Sequence, residues 1–588
     1  MTEATTTFQL GRWTLEDLFP DRQAWEQAMR QVEQQVGQVE TYRDTLDAIT
    51  PEAFRDLLDA LENITRTANK IGSYAFLRFA ADTEDPEAQA MVAKVRQWSA
   101  EIQNRLLFFE LWWKNLPEEQ ARALMEVAGD RRYYLEKMRL FRPYTLDEQA
   151  EQIINYKNAA GIRPLVSLYN TLTSRYTFPL EVDGEVKELT RGELMVYVRH
   201  PDPDLRARAY QSLFQVFTRD RSLIAPIYQA VTQDWYNENV RIRGYERPIS
   251  PRNLANHLPD HVVDTLLDVC RRNAVVFQRY FRVKAKALNL PKLRRYDIYA
   301  PVGKADKTYD FGTAVDLILE AFGRFHPEIA RLARQVFEAG HVDSETRKGK
   351  RTGAFCAGVA PGLTPWILMS YQGRINDVAT LAHELGHAIH NLLAGHHSVF
   401  TYHAPLPLAE TASTFGEMLL VDHLLAQETD PEVRKAVLFH QLDENYATIM
   451  RQAYFALFEI RAHDMFPKGA AAEDVAQAYR ELLEEQFGDA VELTDEFAWE
   501  WLAIPHFYQV PFYVYAYAFG QLLVLALYRR YQEEGEAFKP KYLELLAAGG
   551  SRAPMDLLAD LGIDPGDPAF WQGGFDLLSQ WVDELEGL

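Results

Sequence analysis

Cysteine is nearly missing from this 588-residue chain: Cys270 and Cys356 are the whole supply. Two distant thiols exclude a disulfide framework and a thiolate zinc site, and such sparse use suits a reducing, cytoplasmic compartment. The stretch from Met1 to Trp13 has no basic segment followed by an apolar run, so no secretory signal is expected there. Asn63-Ile64-Thr65 fits a glycosylation sequon, but without a signal it reads as chance. Basic residues are outnumbered, 62 Lys and Arg against 84 Asp and Glu, for a net charge of −22. Such a surface repels phosphate backbones and anionic lipid heads, which argues against nucleic acid as a partner. Charge-free apolar runs are scarce. Val510 to Tyr528 approaches the length of a bilayer span. However, Pro511, Tyr513, Tyr515, Tyr517, Gly520 and Gln521 within it would strand polar groups in lipid, so a helix buried in protein is expected. No internal repeat, low-complexity tract or long linker is visible.

What is present is ample core material: 47% hydrophobic and 25% charged residues, an ordinary globular balance. The first third reads as helix. Trp25, Met29, Val32 and Val36 fall on one face, and Thr14 with Asp17 three residues on has the form of a helix start. Residues 176–190 break the pattern. Alternating apolar positions flank Asp183-Gly184, a hairpin turn signal. A second β-like stretch runs from Gly353 to Gly373, with Trp366, Ile367, Leu368, Met369, Ser370 and Tyr371 as its best strand. That strand is expected to offer an edge to an extended peptide, a mode that binds with little sequence preference. Residues 1–195 read as an N-terminal helical region with a small hairpin insertion, and 196–588 as a catalytic domain.

The chemistry concentrates at His383-Glu384-Leu385-Gly386-His387, an H-E-x-x-H motif. Residues four apart share a helix face, so both imidazoles can reach one metal ion. Glu384 stands beside them as a general base, and zinc lowers the pKa of a bound water toward 7. The surrounding Val378, Leu381, Ala382, Leu385, Ala388, Ile389 and Leu392 are apolar nearly all round. In such a buried helix an unpartnered His-Glu-His set would be costly. A third ligand is required. His390 and Leu393 stand where a third-histidine pattern needs glycine and histidine, which excludes that class. His390 reads as a core or outer-shell residue. Glu410 is the better ligand: with Thr414 and Glu417 it forms one face of an expected helix, giving a His₂Glu set. Glu417 and Asp377 are candidates to hold a ligand imidazole from behind. A donor must also meet the negative charge developing on the scissile carbonyl. His506, Tyr508, Tyr513, Tyr515 and Tyr517 supply candidates, of which Tyr513 and Tyr517 read as aromatic core. Cys356 reads as a small buried apolar residue.

LAHELGHAIH followed by PLAETASTFGE resembles the oligoendopeptidase F family of thimet-oligopeptidase-like zinc peptidases. The resemblance extends to YDIYAP at 296–301, to GAFC and PWILMSYQG, and to PHFY and FYVY, so it covers at least residues 296–520. It implies a mainly α, two-lobed, zincin-like protein with a deep central channel and small β elements near the active site. Such a channel admits short peptides and excludes folded proteins. The resemblance also implies one Zn²⁺ per chain on His383, His387 and Glu410, with Glu384 as base, and substrate or transition-state roles for His506, Tyr508 and Tyr515. Arg374 departs from the small residue expected after Gly373. The expected activity is zinc-dependent endopeptidase action on oligopeptides. A helical zinc carboxypeptidase or dipeptidyl carboxypeptidase is the alternative. A peptide-binding protein with a structural zinc is the remote one, since structural sites are closed by four ligands.

Overall fold

A computed structural model describes residues 8–303 and 308–588; Met1 to Thr7, at the start of the stretch read for a signal, lie outside them. The chain is mostly helical and divides into two compact units, each assembled from three separate segments. Residues 1–143, 306–427 and 530–563 make the first, and 144–305, 428–529 and 564–588 the second. This division does not follow the expected break at residue 195. The chain leaves and re-enters each unit twice, and such returns leave no mark on a linear pattern.

In the first unit, helices Arg22–Glu40, Pro51–Ala81 and Pro86–Asn115 start at Asp21, Thr50 and Asp85, whose side chains accept first-turn amides. Proline at the first position of the latter two costs no hydrogen bond. The Trp25, Met29, Val32 and Val36 face is buried. The start read at Thr14 makes only a turn over 16–18, because Pro20 follows and the helix is set by Asp21 instead.

The core of these helices includes Trp366, which also donates its indole N–H to Thr14 O at 2.7 Å. Trp366–Leu368 is the central strand of a three-stranded sheet. It pairs in parallel with Val342–Asp343 and antiparallel with Phe355–Ala357. Asp343, fully buried, takes a bidentate pair from Arg347 and an ion pair from Lys350, fixing the strand ends. The sheet leads into helix Ile375–Leu393. That helix packs on Ser413–Gln427 at very short range: a Cβ on Gly386 would lie 2.4 Å from Ala412 O.

The second unit holds the hairpin Phe178–Val182 with Glu185–Leu189, turned by Asp183 and Gly184 at φ 54° and 81°. Both values are what a two-residue type I′ turn requires. The apolar run near 510–528 becomes the first part of helix Tyr515–Glu534, with Leu522, Leu523, Val524, Leu525 and Leu527 buried in protein. No described helix is long and apolar enough to cross a membrane.

Candidate metal centre

The H-E-x-x-H residues lie two turns into Ile375–Leu393. Asp377 caps this helix. Its carboxylate accepts the amides of Gln372 and Arg374 at 2.9 and 3.0 Å, so it sets the helix start and holds no imidazole. Gly386 allows the backbone around Ala412 to approach, which brings Glu410 to the histidines. Glu410 is not on the expected continuous helix. Leu406–Ala409 ends there, and Ser413–Gln427 begins three residues on. The break presents its carboxylate: Oε2 lies 3.4 Å from Nε2 of both His383 and His387. One ligand atom from each of the three side chains falls within 4.8 Å of the others.

His383 Nδ1 is hydrogen-bonded to Glu417 Oε1, the outer contact expected of a ligand imidazole. With the proton on Nδ1, the Nε2 lone pair is free for a metal. Burial would lower the His383 pKa, but the hydrogen bond and charge of Glu417, with the charges of Glu410 and Glu384, raise it to about 9. Burial would raise that of Glu410, but His387, His383 and the Ser413 hydroxyl hold it down at about 2. Glu384 is pushed upward, chiefly by burial. Its Oε2 is buried and finds no hydrogen-bond partner among the described residues. Two imidazole nitrogens, one carboxylate and an orphaned carboxylate oxygen beside them fit a catalytic zinc site, with three protein ligands and an open position.

A cavity of about 390 Å³ opens beside this centre, bounded by Cys356, Glu384, His387, His390, Tyr402 and His403 among others. His390 lines it and stays outside the ligand set; burial lowers its pKa to about 4, which keeps the ring neutral. Asn391, Tyr402 and His403 were not found from sequence. Only Asn391 carried a signal, four residues beyond His387, and its amide now donates to His387 O at 2.8 Å. Phe355 and Cys356 face the same cavity. The expected peptide-binding edge at Trp366 to Tyr371 is therefore misplaced. Both edges of that strand are taken by its neighbours, and Trp366, Ile367, Leu368, Met369 and Tyr371 are buried. The outer strands of the sheet are Val342–Asp343 and Phe355–Ala357, and Phe355–Ala357 is the one that borders the cavity.

The model of peptidase family M3 matches residues 196–577, and that described as Oligopeptidase F matches 112–178. The chain belongs to peptidase family M3. It is 27% identical to Oligopeptidase PepF of Bacillus subtilis, over 98% of this chain and 87% of that one. It is 26% identical to the chromosomal oligoendopeptidase F of Lactococcus lactis subsp. cremoris, over 98% and 97%. The crystal structure of a Chlamydophila abortus protein assigned as a peptidase superposes with TM-score 0.88 and 25% identity, covering 100% of this chain and 99% of that one. Oligoendopeptidase F of Enterococcus faecium shares the fold at TM-score 0.74 and 24% identity, over 96% and 98%.

The aromatic loop of this M3 peptidase lies in the second unit and differs from expectation. Tyr508 is buried and stacked on Tyr169 at 3.8 Å, and its hydroxyl has no partner among the described residues. Tyr515 is fully buried and accepts from Asn256 Nδ2 at 2.8 Å. Neither hydroxyl reaches a surface. Tyr513 and Tyr517, read as core, are instead partly exposed and flank the His506 ring; the Tyr517 hydroxyl lies 3.5 Å from His506 Nε2. Between helices Pro505–Gln509 and Tyr515–Glu534, Phe512 adopts φ 58°, a left-handed conformation uncommon for a bulky residue. The strain is held at one peptide group. Arg252 Nε donates to Pro511 O at 3.2 Å, and Phe512 N–H donates to buried Glu459 at 2.8 Å.

Proposed function

We propose that this M3 peptidase hydrolyses internal bonds of short peptides, with His383, His387 and Glu410 holding one zinc ion per chain. When bound, zinc acts as a Lewis acid on the scissile carbonyl and makes water acidic enough to attack at neutral pH. Glu384 supplies the proton transfers. Its buried, unpartnered Oε2 beside the three ligands is the observation that carries this reading. A carboxylate raised by burial is a competent base that also holds its proton long enough to pass it to the leaving nitrogen. Glu417 keeps the His383 ring oriented throughout. The substrate role that the family resemblance gives His506 is carried by a partly exposed ring, beside which the rings of Tyr513 and Tyr517 stand. The setting is cytoplasmic, in keeping with free Cys270 and Cys356.

The test is cleavage of an internally quenched peptide blocked at both ends, with mass analysis of the products. Internal cuts lost on chelation and restored by zinc support the proposal. Cleavage only when the C-terminus is free would replace it with a carboxypeptidase. Zinc binding without cleavage of a varied peptide set would replace it with a binding role.

A further inference from the structure

In the second unit two guanidinium groups share one carboxylate. Arg295, 1% exposed, and Arg451 direct Nη2 at the same oxygen of Glu500, at 3.1 and 2.8 Å. The other Glu500 oxygen accepts the Tyr479 hydroxyl at 2.8 Å. Among the described residues each guanidinium pairs with Glu500 alone, so two cations share one carboxylate. Arginine does not shed its proton in proteins, and an uncompensated buried charge is strongly unfavourable.

The same place collects donors with nothing to donate to. Arg295 Nε and Nη1, Arg451 Nε, and the hydroxyls of Tyr299 and Tyr446 are buried and lack a hydrogen-bond partner among the described residues. The two tyrosine rings lie 6.2 Å apart, and both act electrostatically on Arg295. Phe497 and Phe487 cover the guanidinium at 5.0 and 5.8 Å. Rings stacked on its faces leave the in-plane N–H groups unsatisfied, because hydrogen bonds need near-linear alignment. A water molecule would accept some of these bonds but would leave the net charge standing.

We infer that Arg295, Arg451, Tyr299 and Tyr446 form a binding site for a small monovalent inorganic anion of the halide class. Donors from four side chains and one excess positive charge match that chemistry, and burial of Arg295 and Tyr446 keeps the terminus of a peptide away from them. The Arg451 side chain, 27% exposed, provides access from solvent. Arg451 also bears on the His506 ring, which ties anion occupancy to the aromatic loop.

Thermal unfolding of the full chain tests the site without reference to turnover. Gluconate is replaced stepwise by chloride, then bromide, at constant ionic strength. The expected wild-type result is a melting temperature that rises along a saturating curve, as binding to the native state requires. Tyr446→Phe removes a hydroxyl that has no protein partner, so it keeps the fold and raises the half-saturating anion concentration at least fivefold. Tyr299→Phe does the same, and Arg451→Gln abolishes saturation. Crystals grown with bromide show an anomalous peak within hydrogen-bond distance of Arg295 Nη1 and the Tyr446 hydroxyl. A non-saturating anion dependence, identical in wild type and Tyr446→Phe, overturns the inference. So does water alone beside Arg295.

Discussion

Replacement of Glu417 separates orientation of a ligand from ligation itself. Glu417 touches no other ligand of the set; it holds His383 through Nδ1, and its charge is among those that keep the His383 pKa high. Loss of such an outer partner lowers metal affinity about 10- to 100-fold, which is about 1.4 to 2.7 kcal/mol. Glu417→Gln retains an acceptor but no charge, so it belongs at the lower end. Glu417→Ala leaves Nδ1 free to take either tautomer and belongs at the upper end. Helix Ser413–Gln427 survives both changes, since Gln and Ala are good helix formers. The assay is competition for zinc against a calibrated chelator, with thermal unfolding of the metal-free variants as a control for folding. At saturating zinc, kcat should recover to within a few-fold of wild type, because Glu384 and Glu410 are untouched. An Ala variant that binds zinc within twofold of wild type would refute the argument that Glu417 sets the His383 tautomer.

Glu384→Gln should bind zinc as wild type does and lose about 10²- to 10⁴-fold in kcat, the usual contribution of a general base; stoichiometric zinc with near-normal turnover would remove Glu384 from the mechanism. Gly386→Ala places a methyl group 2.4 Å from Ala412 O and 2.5 Å from Ser413 Cα. The helices must part, at about 1–3 kcal/mol, and both the melting temperature and zinc affinity should fall. Tyr508→Phe should change neither stability nor kcat, as its hydroxyl has no partner, and Tyr515→Phe should cost about 1 kcal/mol for the lost Asn256 bond; a large kcat loss with KM unchanged in either would restore them as transition-state donors. Glu459 is raised to about 8, chiefly by burial. A raised folded-state pKa gives stability that is complete below the ordinary 4.5 and is lost as pH climbs toward 8. Glu459→Gln should therefore flatten the fall in melting temperature over that range, and an unchanged slope would contradict the assignment.

The candidate metal centre was legible because its spacing is local. His383, Glu384 and His387 are fixed by helical spacing, and Glu417 was placed behind a ligand by the same logic. The hairpin at Asp183-Gly184 was equally legible, since its turn residues are required by positive φ. What failed depended on non-local geometry. A central and an edge strand have the same apolar pattern when both are short, so Trp366–Leu368 could not be told from Phe355–Ala357 as the open edge. Which tyrosines of 508–517 are buried depends on how the link between helices Pro505–Gln509 and Tyr515–Glu534 turns, with Phe512 left-handed, and no propensity singles that out. Asp377 suits both a helix start and an outer-shell contact on sequence alone, because the first turn lies close to the motif; its bonds to the amides of Gln372 and Arg374 decide for the cap.

Charge accounting links the two clusters. Around His383 and His387 stand Glu384, Glu410 and Glu417, three carboxylates for two imidazoles. Without a cation the set can balance only by gathering protons, and the His383 pKa near 9 expresses that demand. A divalent ion offsets two of the three negative charges and displaces protons from its ligands, so zinc affinity should rise with pH. The cluster at Arg295 and Arg451 has the opposite excess and no such remedy, since a guanidinium cannot release its proton at any pH the fold survives. Proton exchange can tune the first cluster but not the second. The melting temperature should consequently depend on anion concentration in the same way at pH 6 and pH 8. If the anion effect instead vanished between those values, a titrating group, not the arginine pair, would be its source.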